Sequence, residues 1–342
     1  PAPSEARIGS RQARLTFDPG LEVEPAWSPD GRFIAYTAER EGNLDILLQP
    51  TEGGDPLVVV DDAGDDAQPA WSPDGSRLAF VSARGKTGRL MGGAGFGTLS
   101  LLMLNSGGDI YLQPALGGTA VRLVEDGYFP SWSPDGKTIA FLSARGGPWK
   151  IWLIDVDGGE PRLLSDEQSP FWKDDRFAFQ PVWSPDGQWI ASGAPSQGSA
   201  TFALMVTSVD GNTRATWESD TRWIFRPVWS ADGRRLFFTL GDGRSVDIWS
   251  ASFTAEPEPL IGEPELVLSG AGWAAGSSVA PSGDRLAYAN LTIDSNIWEL
   301  DVASSRMRQV TFETTNEDNS HLSPDGKSLA LVSNRSGESQ LW

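Results

Sequence analysis

Short apolar runs broken by turn residues recur along the whole chain. FIAYT (33–37), RLAFV (77–81), TIAFL (138–142), WIASG (189–193), RLFFT (235–239), RLAYA (285–289) and SLALV (328–332) are too short for helices and rich in strand-forming residues. Each predicts a β-strand, and each follows a copy of one five-residue motif. WSPDG begins at Trp27, Trp71, Trp132 and Trp183, WSADG begins at Trp229, and the weaker copies VAPSG and LSPDG begin at Val279 and Leu322. In that motif Pro presets φ, Asp caps the turn and Gly accepts φ > 0, so it joins a first strand to a second in a hairpin.

A third strand is centred on Ile46, Ile110, Ile151, Ala203, Ile248, Ile297 and Leu341. Its distance from the motif is 18 to 20 residues in six copies and 39 in the second, which therefore carries an insertion of about 20 residues, spanning about 85–108. A fourth strand is predicted in six copies, at 56–60, 120–124, 161–164, 214–217, 265–269 and 308–312. The seventh copy stops at Trp342 after its third strand, whereas Ala13 to Phe17 resembles a fourth strand with nothing before it. The prediction is an all-β chain: a seven-bladed β-propeller of four-stranded antiparallel blades, closed by the N-terminal strand joining the last blade. Residues 1–12 read as a linker or arm, and 13–342 as a single propeller. The residue before the motif is small in most copies, as expected where an innermost strand must admit a neighbouring indole.

In such a blade the first-to-second and third-to-fourth turns share one end, which here is uniform and glycine-rich. The other end collects variable aromatic segments. Tyr128, Phe129, Trp172, Phe177, Phe179, Trp223, Phe225, Arg226 and Trp273 are the candidates for binding a ligand or protein partner there. The alternative for any one of them is packing between blades. In the insertion, Leu90 to Gly108 carries no charge, and Leu90, Met91, Phe96, Leu99, Leu102 and Met103 make it a candidate partner loop, the alternative being private packing. Its six Gly and four Ser, Thr or Asn argue against a membrane span.

Charge and composition narrow the chemistry. With 27 basic and 46 acidic residues the net charge is −19, which argues against nucleic acid as a partner. Cysteine is absent and His321 is the one histidine, so disulfides, thiolate metal sites and Cys nucleophiles are excluded. His321 falls at a repeated strand position and reads as a core residue rather than a triad member. Gly85-Lys86-Thr87 is not the end of a phosphate loop, because Phe80 stands where that motif needs Gly. Asp61, Asp62, Asp65 and Asp66 are weak candidates for a structural Ca²⁺ site, with solvated loop carboxylates as the plainer reading. Arg84, Arg145 and Arg335 follow Ser at a fixed repeat position and are expected to pair inside blades. No catalytic residue and no cofactor are predicted.

The WSPDG motif, the IAF-type strand, Ser-x-Arg (82–84, 143–145, 333–335), the Asp-Ile-Trp-like strand and the Gly-Gly turn together resemble the WD40-like repeat of TolB-type propellers. DSNIWELDV (294–302) and the final copy resemble the sensor regions of CadC-like membrane-bound regulators, and similar repeats occur in extracytoplasmic parts of bacterial Ser/Thr kinases. These resemblances imply a non-enzymatic binding, sensing or assembly module, outside the bacterial cytoplasm, in a chain that can continue beyond Trp342 and be membrane-anchored. The rival reading is a propeller hydrolase or lyase, or the accessory propeller of a larger hydrolase. Two facing channel carboxylates with raised pKa would favour it.

Overall fold

The computed structural model describes residues 13–17, 20–86, 90, 108–147, 149–164, 179–195, 202–219, 223–241, 246–269, 273–291, 298–301, 306–309, 317–323, 328–333 and 340–342. Among them every regular element is a strand, and no helix is long and apolar enough to cross a membrane. The chain divides into two units, Pro1–Asn290 and Leu291–Trp342.

In the first unit the repeats become antiparallel blades in chain order. Blade one is β1 (Glu22–Trp27), β2 (Phe33–Arg40), β3 (Asn43–Pro50) and β4 (Leu57–Val60). Blade two is β5 (Asp66–Trp71), β6 (Arg77–Ser82), β7 (Asp109–Pro114) and β8 (Val121–Val124); blade three is β9 (Tyr128–Trp132), β10 (Thr138–Ser143), β11 (Lys150–Asp155) and β12 (Arg162–Leu163). Blade four is β13 (Phe179–Trp183), β14 (Trp189–Pro195), β15 (Phe202–Ser208) and β16 (Arg214–Glu218). In blade five, β17 (Trp223–Trp229), β18 (Arg235–Gly241) and β19 (Val246–Thr254) are joined by β21 (Glu265–Leu268), while the short β20 (Leu260–Ile261) folds back on the end of β19. The sixth repeat contributes β22 (Trp273–Val279) and β23 (Leu286–Leu291).

The motif builds each hairpin turn through one repeated set of bonds. In blade two Ser72 Oγ donates to Asp74 Oδ1 (2.6 Å), the amide of Ser76 donates to the same oxygen (3.0 Å), and the amide of Arg77 donates to Ser72 Oγ (2.9 Å). Gly75 at φ 71° completes the turn in the left-handed region, which glycine enters without a Cβ clash. These bonds hold the carboxyl of Asp74, and likewise that of Asp30, at about 2.

Tryptophan then ties blade to blade. The indole Nε1 of Trp71 donates to the carbonyl of Ala26 (3.0 Å), that of Trp132 to Ala70 (3.1 Å), and that of Trp229 to Val182 (3.2 Å). Each acceptor is the residue just before the motif in the preceding blade, which explains why small residues stand there. Where that residue is Ser131, its Oγ accepts from the backbone amide of Trp183 (3.2 Å). Behind these contacts Phe80, Phe141 and Phe238 are fully buried between blades.

The seven-bladed closure is not what forms. Among the described residues five four-stranded blades are present, not seven. The innermost strands pack in the order β1, β5, β9, β13, β17 and β22, and β22 returns directly onto β1. The amide of Trp27 donates to Ser278 Oγ at 3.0 Å, the counterpart of the Trp183–Ser131 bond, so the sixth repeat meets the first with the ordinary inter-blade contact. Ala13 to Phe17 is not a strand, and Leu15 and Phe17 are exposed. The prediction assumed that every repeat must be seated in the ring; instead β22 already occupies the face of β1 that a further blade would need.

The second unit contains the hairpin β24 (Trp298–Asp301) and β25 (Arg306–Gln309), and the three-stranded sheet β26 (Glu317–Leu322), β27 (Leu329–Ser333) and β28 (Gln340–Leu341). His321, on β26 opposite Ala330, is exposed rather than a core residue.

Candidate functional site at the axis of the first unit

Every complete blade carries a bulge in its innermost strand, three residues before the motif Trp. The ladder slips between Val23 and Ala26, and at the matching places in β5, β9, β13 and β17. The residue responsible has positive φ in each: Glu24 59°, Gln68 59°, Phe129 51°, Gln180 48° and Arg226 53°. Gly276 takes this place in the sixth repeat at φ 86°. Left-handed φ is uncommon outside glycine and costs on the order of 1–3 kcal/mol when imposed on large side chains. Its recurrence at one register marks a ring of side chains that the fold aims deliberately.

Pro follows this residue in all five blades, at Pro25, Pro69, Pro130, Pro181 and Pro227, and it disfavours right-handed helical backbone immediately before it. The sequence signal was therefore x-Pro-small-Trp, in which only x varies in chemistry. Sequence reasoning started at the Trp and missed Glu24, Gln68 and Gln180. It selected Phe129 and Arg226 as aromatic-segment residues without seeing that they are equivalent.

The ring side chains engage one another. Glu24 Oε2 accepts from the amide of Gln68 (2.8 Å) and from Thr37 Oγ1 (3.0 Å), and Gln68 Oε1 accepts from the amide of Phe129 (2.7 Å). Glu24 and Gln68 thus each reach forward to the next bulge amide. Phe129 has no polar atom to continue the relay. Across the sixth repeat, Arg226 Nη2 donates to Glu24 Oε1 at 3.1 Å, and the guanidinium lies 5.9 Å from the Phe129 ring. The Glu24 side chain is 5% exposed, so its charge is held by that ion pair and by the hydrogen bonds it accepts. A Cβ at Gly276 would lie 3.1 Å from Arg226 Nη1 and 3.3 Å from Glu24 Cα, which leaves room for glycine alone beside the pair.

Gln180 differs from the rest. It is buried, and among the described residues neither Oε1 nor Nε2 has a hydrogen-bond partner. Ser277, standing where the five blades have Pro, also buries an Oγ without a partner.

The other predicted residues are placed as follows. Tyr128 is buried, its hydroxyl accepting from the amide of Gly108 (2.8 Å) and its ring edge-on to Trp149. Phe179, Trp223, Phe225 and Trp273 stand on described backbone, paired with Gly193, Gly241, Thr239 and Val246, but their side chains lie outside the described residues. Trp172, Phe177, Met91, Phe96, Leu99, Leu102 and Met103 also lie outside them. Leu90 is in the core of blade two, its amide donating to Asp65 Oδ2 at 2.8 Å, so it packs inward and does not face a partner.

The acidic cluster is engaged in loop construction. Asp65 Oδ1 accepts from the amide of Leu44 (3.1 Å), and Asp66 pairs with Arg84 (3.1 Å), whose Nε donates to Ser82 (2.7 Å). Among the described residues no group of three or more His, Cys, Asp or Glu is arranged to hold a metal ion. Arg84 lies over Tyr111 and Arg145 over Phe141, each hydrogen-bonded to its repeat Ser, as the Ser-x-Arg pattern predicts. Burial pushes the Asp66 carboxyl up to about 6 and raises that of Asp45, whose partner is Arg40; neither belongs to the axial ring. A groove of about 750 Å³ opens at the opposite end, between the motif turns of blades four and five. Its walls Trp189 and Trp229 are edge-packed on Phe253, and Asp232 is held by its turn, so it is inter-blade packing space.

No family model matches the chain. An uncharacterised protein of Agrobacterium fabrum is 28% identical over 187 residues, 54% of each chain. The Tol-Pal system protein TolB of Bordetella pertussis is 43% identical over 47 residues, 14% of this chain and 11% of that protein. Among solved structures, a TolB-like protein of Agrobacterium tumefaciens superposes with a TM-score of 0.61 at 21% identity, covering 81% of this chain and 93% of that one. The chain spans about half the length of the first of these curated relatives and about a tenth of TolB. The fold is a β-propeller of the TolB type. The comparisons support that resemblance and add nothing to the one with CadC-like regulators or kinases.

Proposed function

We propose that this chain is a non-enzymatic, TolB-like binding propeller, working outside the bacterial cytoplasm as a sensing or assembly module. Its binding end is the one where the bulge ring meets the variable loops. The observation that carries this is the division of labour within the repeat. Pro, the small residue, Trp and the turn stay the same and build the scaffold, while the strained axial position is Glu, Gln, Phe, Gln or Arg. Strain maintained at a chemically varied position is a mark of function rather than of packing. Similarity to TolB supports the extracytoplasmic setting and a protein partner, and the excess of acid makes that partner basic or neutral.

The test is an array of peptides and oligosaccharides probed with labelled protein and with a Phe129→Ala/Trp223→Ala variant. Binders lost in the variant support the axial end. Binders retained by it place the site elsewhere, and cleavage of arrayed material supports the hydrolase or lyase alternative.

A further inference from the structure

We propose that the arc from Phe129 through Gln180 to Arg226 is a binding site for an uncharged saccharide, with the Gln180 carboxamide as its anchor. This rests on the binding reading above and gives it a ligand class.

Gln180 is 5% exposed and stands at the bulge register, where Glu24 and Gln68 direct their side chains along the ring to the next blade. Its acceptor and its donor group are both unpartnered, an arrangement that costs stability unless something else satisfies it. The strand β17 packs beside β13, so Gln180 and Arg226 hold the same bulge register in neighbouring blades. Carboxamide and guanidinium therefore succeed one another around the axis, with the Phe129 ring 5.9 Å from the guanidinium as an apolar wall.

Charge and geometry select the ligand. Arg226 is neutralised by Glu24, so the arc offers no net charge to a carboxylate or a cation, yet only one of its five N–H donors is spent on that pair. An extended peptide would seek the inner-strand amides, but those of Gln68 and Phe129 are already taken by Glu24 and Gln68. A compact ring of hydroxyls, each both donor and acceptor, with an apolar face for Phe129, fits the free groups best.

The experiment titrates the whole chain with maltotriose, cellotriose and N,N′-diacetylchitobiose, with trigalacturonate and tri-alanine amide as the charged and peptide counterparts, followed by calorimetry and saturation-transfer NMR. Expected is saturable binding of at least one neutral saccharide, weakened about tenfold or more in Gln180→Leu. Because Gln180→Leu removes two orphaned polar atoms, its Tm without ligand should equal or exceed that of the wild type, which separates a lost contact from a lost fold. Preference for trigalacturonate or the peptide, unchanged affinity in Gln180→Leu, or no neutral saccharide bound at about 10 mM overturns the proposal. Saccharide binding that survives Gln180→Leu but disappears in Trp223→Ala would overturn the axial site alone and leave the binding reading standing.

Discussion

Arg226 and Glu24, 202 residues apart, meet at 3.1 Å across the sixth repeat, where Gly276 leaves the space they need. The contact joins blade five to blade one without passing through a side chain of the repeat between them. It makes the polar ring at the axis continuous from the first blade's relay to the last complete blade.

A side chain at Gly276 should be destabilising. Its φ of 86° and the 3.1 Å approach to Arg226 Nη1 predict that Gly276→Ala costs about 1–3 kcal/mol in urea unfolding. The same substitution made on an Arg226→Ala background should cost less, since half the crowding is gone. Equal costs on the two backgrounds would show that the contact is not felt.

Breaking the ion pair from one side leaves a buried charge. Arg226→Ala is expected to destabilise by about 3–5 kcal/mol, because the Glu24 side chain, 5% exposed, loses its counter-ion. The double variant Arg226→Met/Glu24→Leu should recover most of that loss, as judged by calorimetric unfolding. A double variant as unstable as the single one would mean that the hydrogen bonds from Gln68 and Thr37 matter more than the pair.

The indole staples differ between blades. Trp132 Nε1 is bonded to Ala70 at 3.1 Å, whereas Trp183 Nε1 has no partner. Trp132→Phe is therefore expected to cost about 1 kcal/mol more than Trp183→Phe in chemical denaturation, the worth of one buried hydrogen bond.

Two aspartates should pull stability in opposite directions with pH. Burial raises Asp66 to about 6 against an ordinary 3.8, so between these values the folded state holds a proton that the unfolded chain has released. Stability from this group therefore grows as pH falls from 6 towards 4, by about 2–3 kcal/mol, and Asp66→Asn should flatten that limb of the urea-midpoint profile. Asp74, held at about 2 by Ser72 and Ser76, contributes stability that is present above pH 3.8 and lost as pH falls towards 2. Carboxyl ¹³C titration would read both; similar midpoints for the two residues would refute the assignment.

Local chemistry was legible in the sequence wherever it repeated. The WSPDG turns, the first three strands of each of the first five repeats, the fourth strands and the Ser-x-Arg pairs all follow from residues close together in the chain, whose preferences act over a few bonds. The same reading failed at the ends. It seated Ala13 to Phe17 as a strand and counted seven blades, because strand propensity cannot say which inner strand lies beside which. Between the partner loop and private packing it left Leu90 undecided, and the Asp65 carboxylate, which takes its amide, settles that residue on packing.

By itself, then, the sequence determined the repeat, its hairpins, the all-β class and the strongly acidic charge, since turn geometry and strand periodicity are short-range properties. Tertiary structure alone decided that β22 closes onto β1, that five residues one repeat apart share one strained register around the axis, and that Gln180 is the polar member without a hydrogen-bond partner among the described residues. Those facts depend on which surfaces compete for the same space and which distant donors reach the same acceptor, and neither is encoded in any one segment.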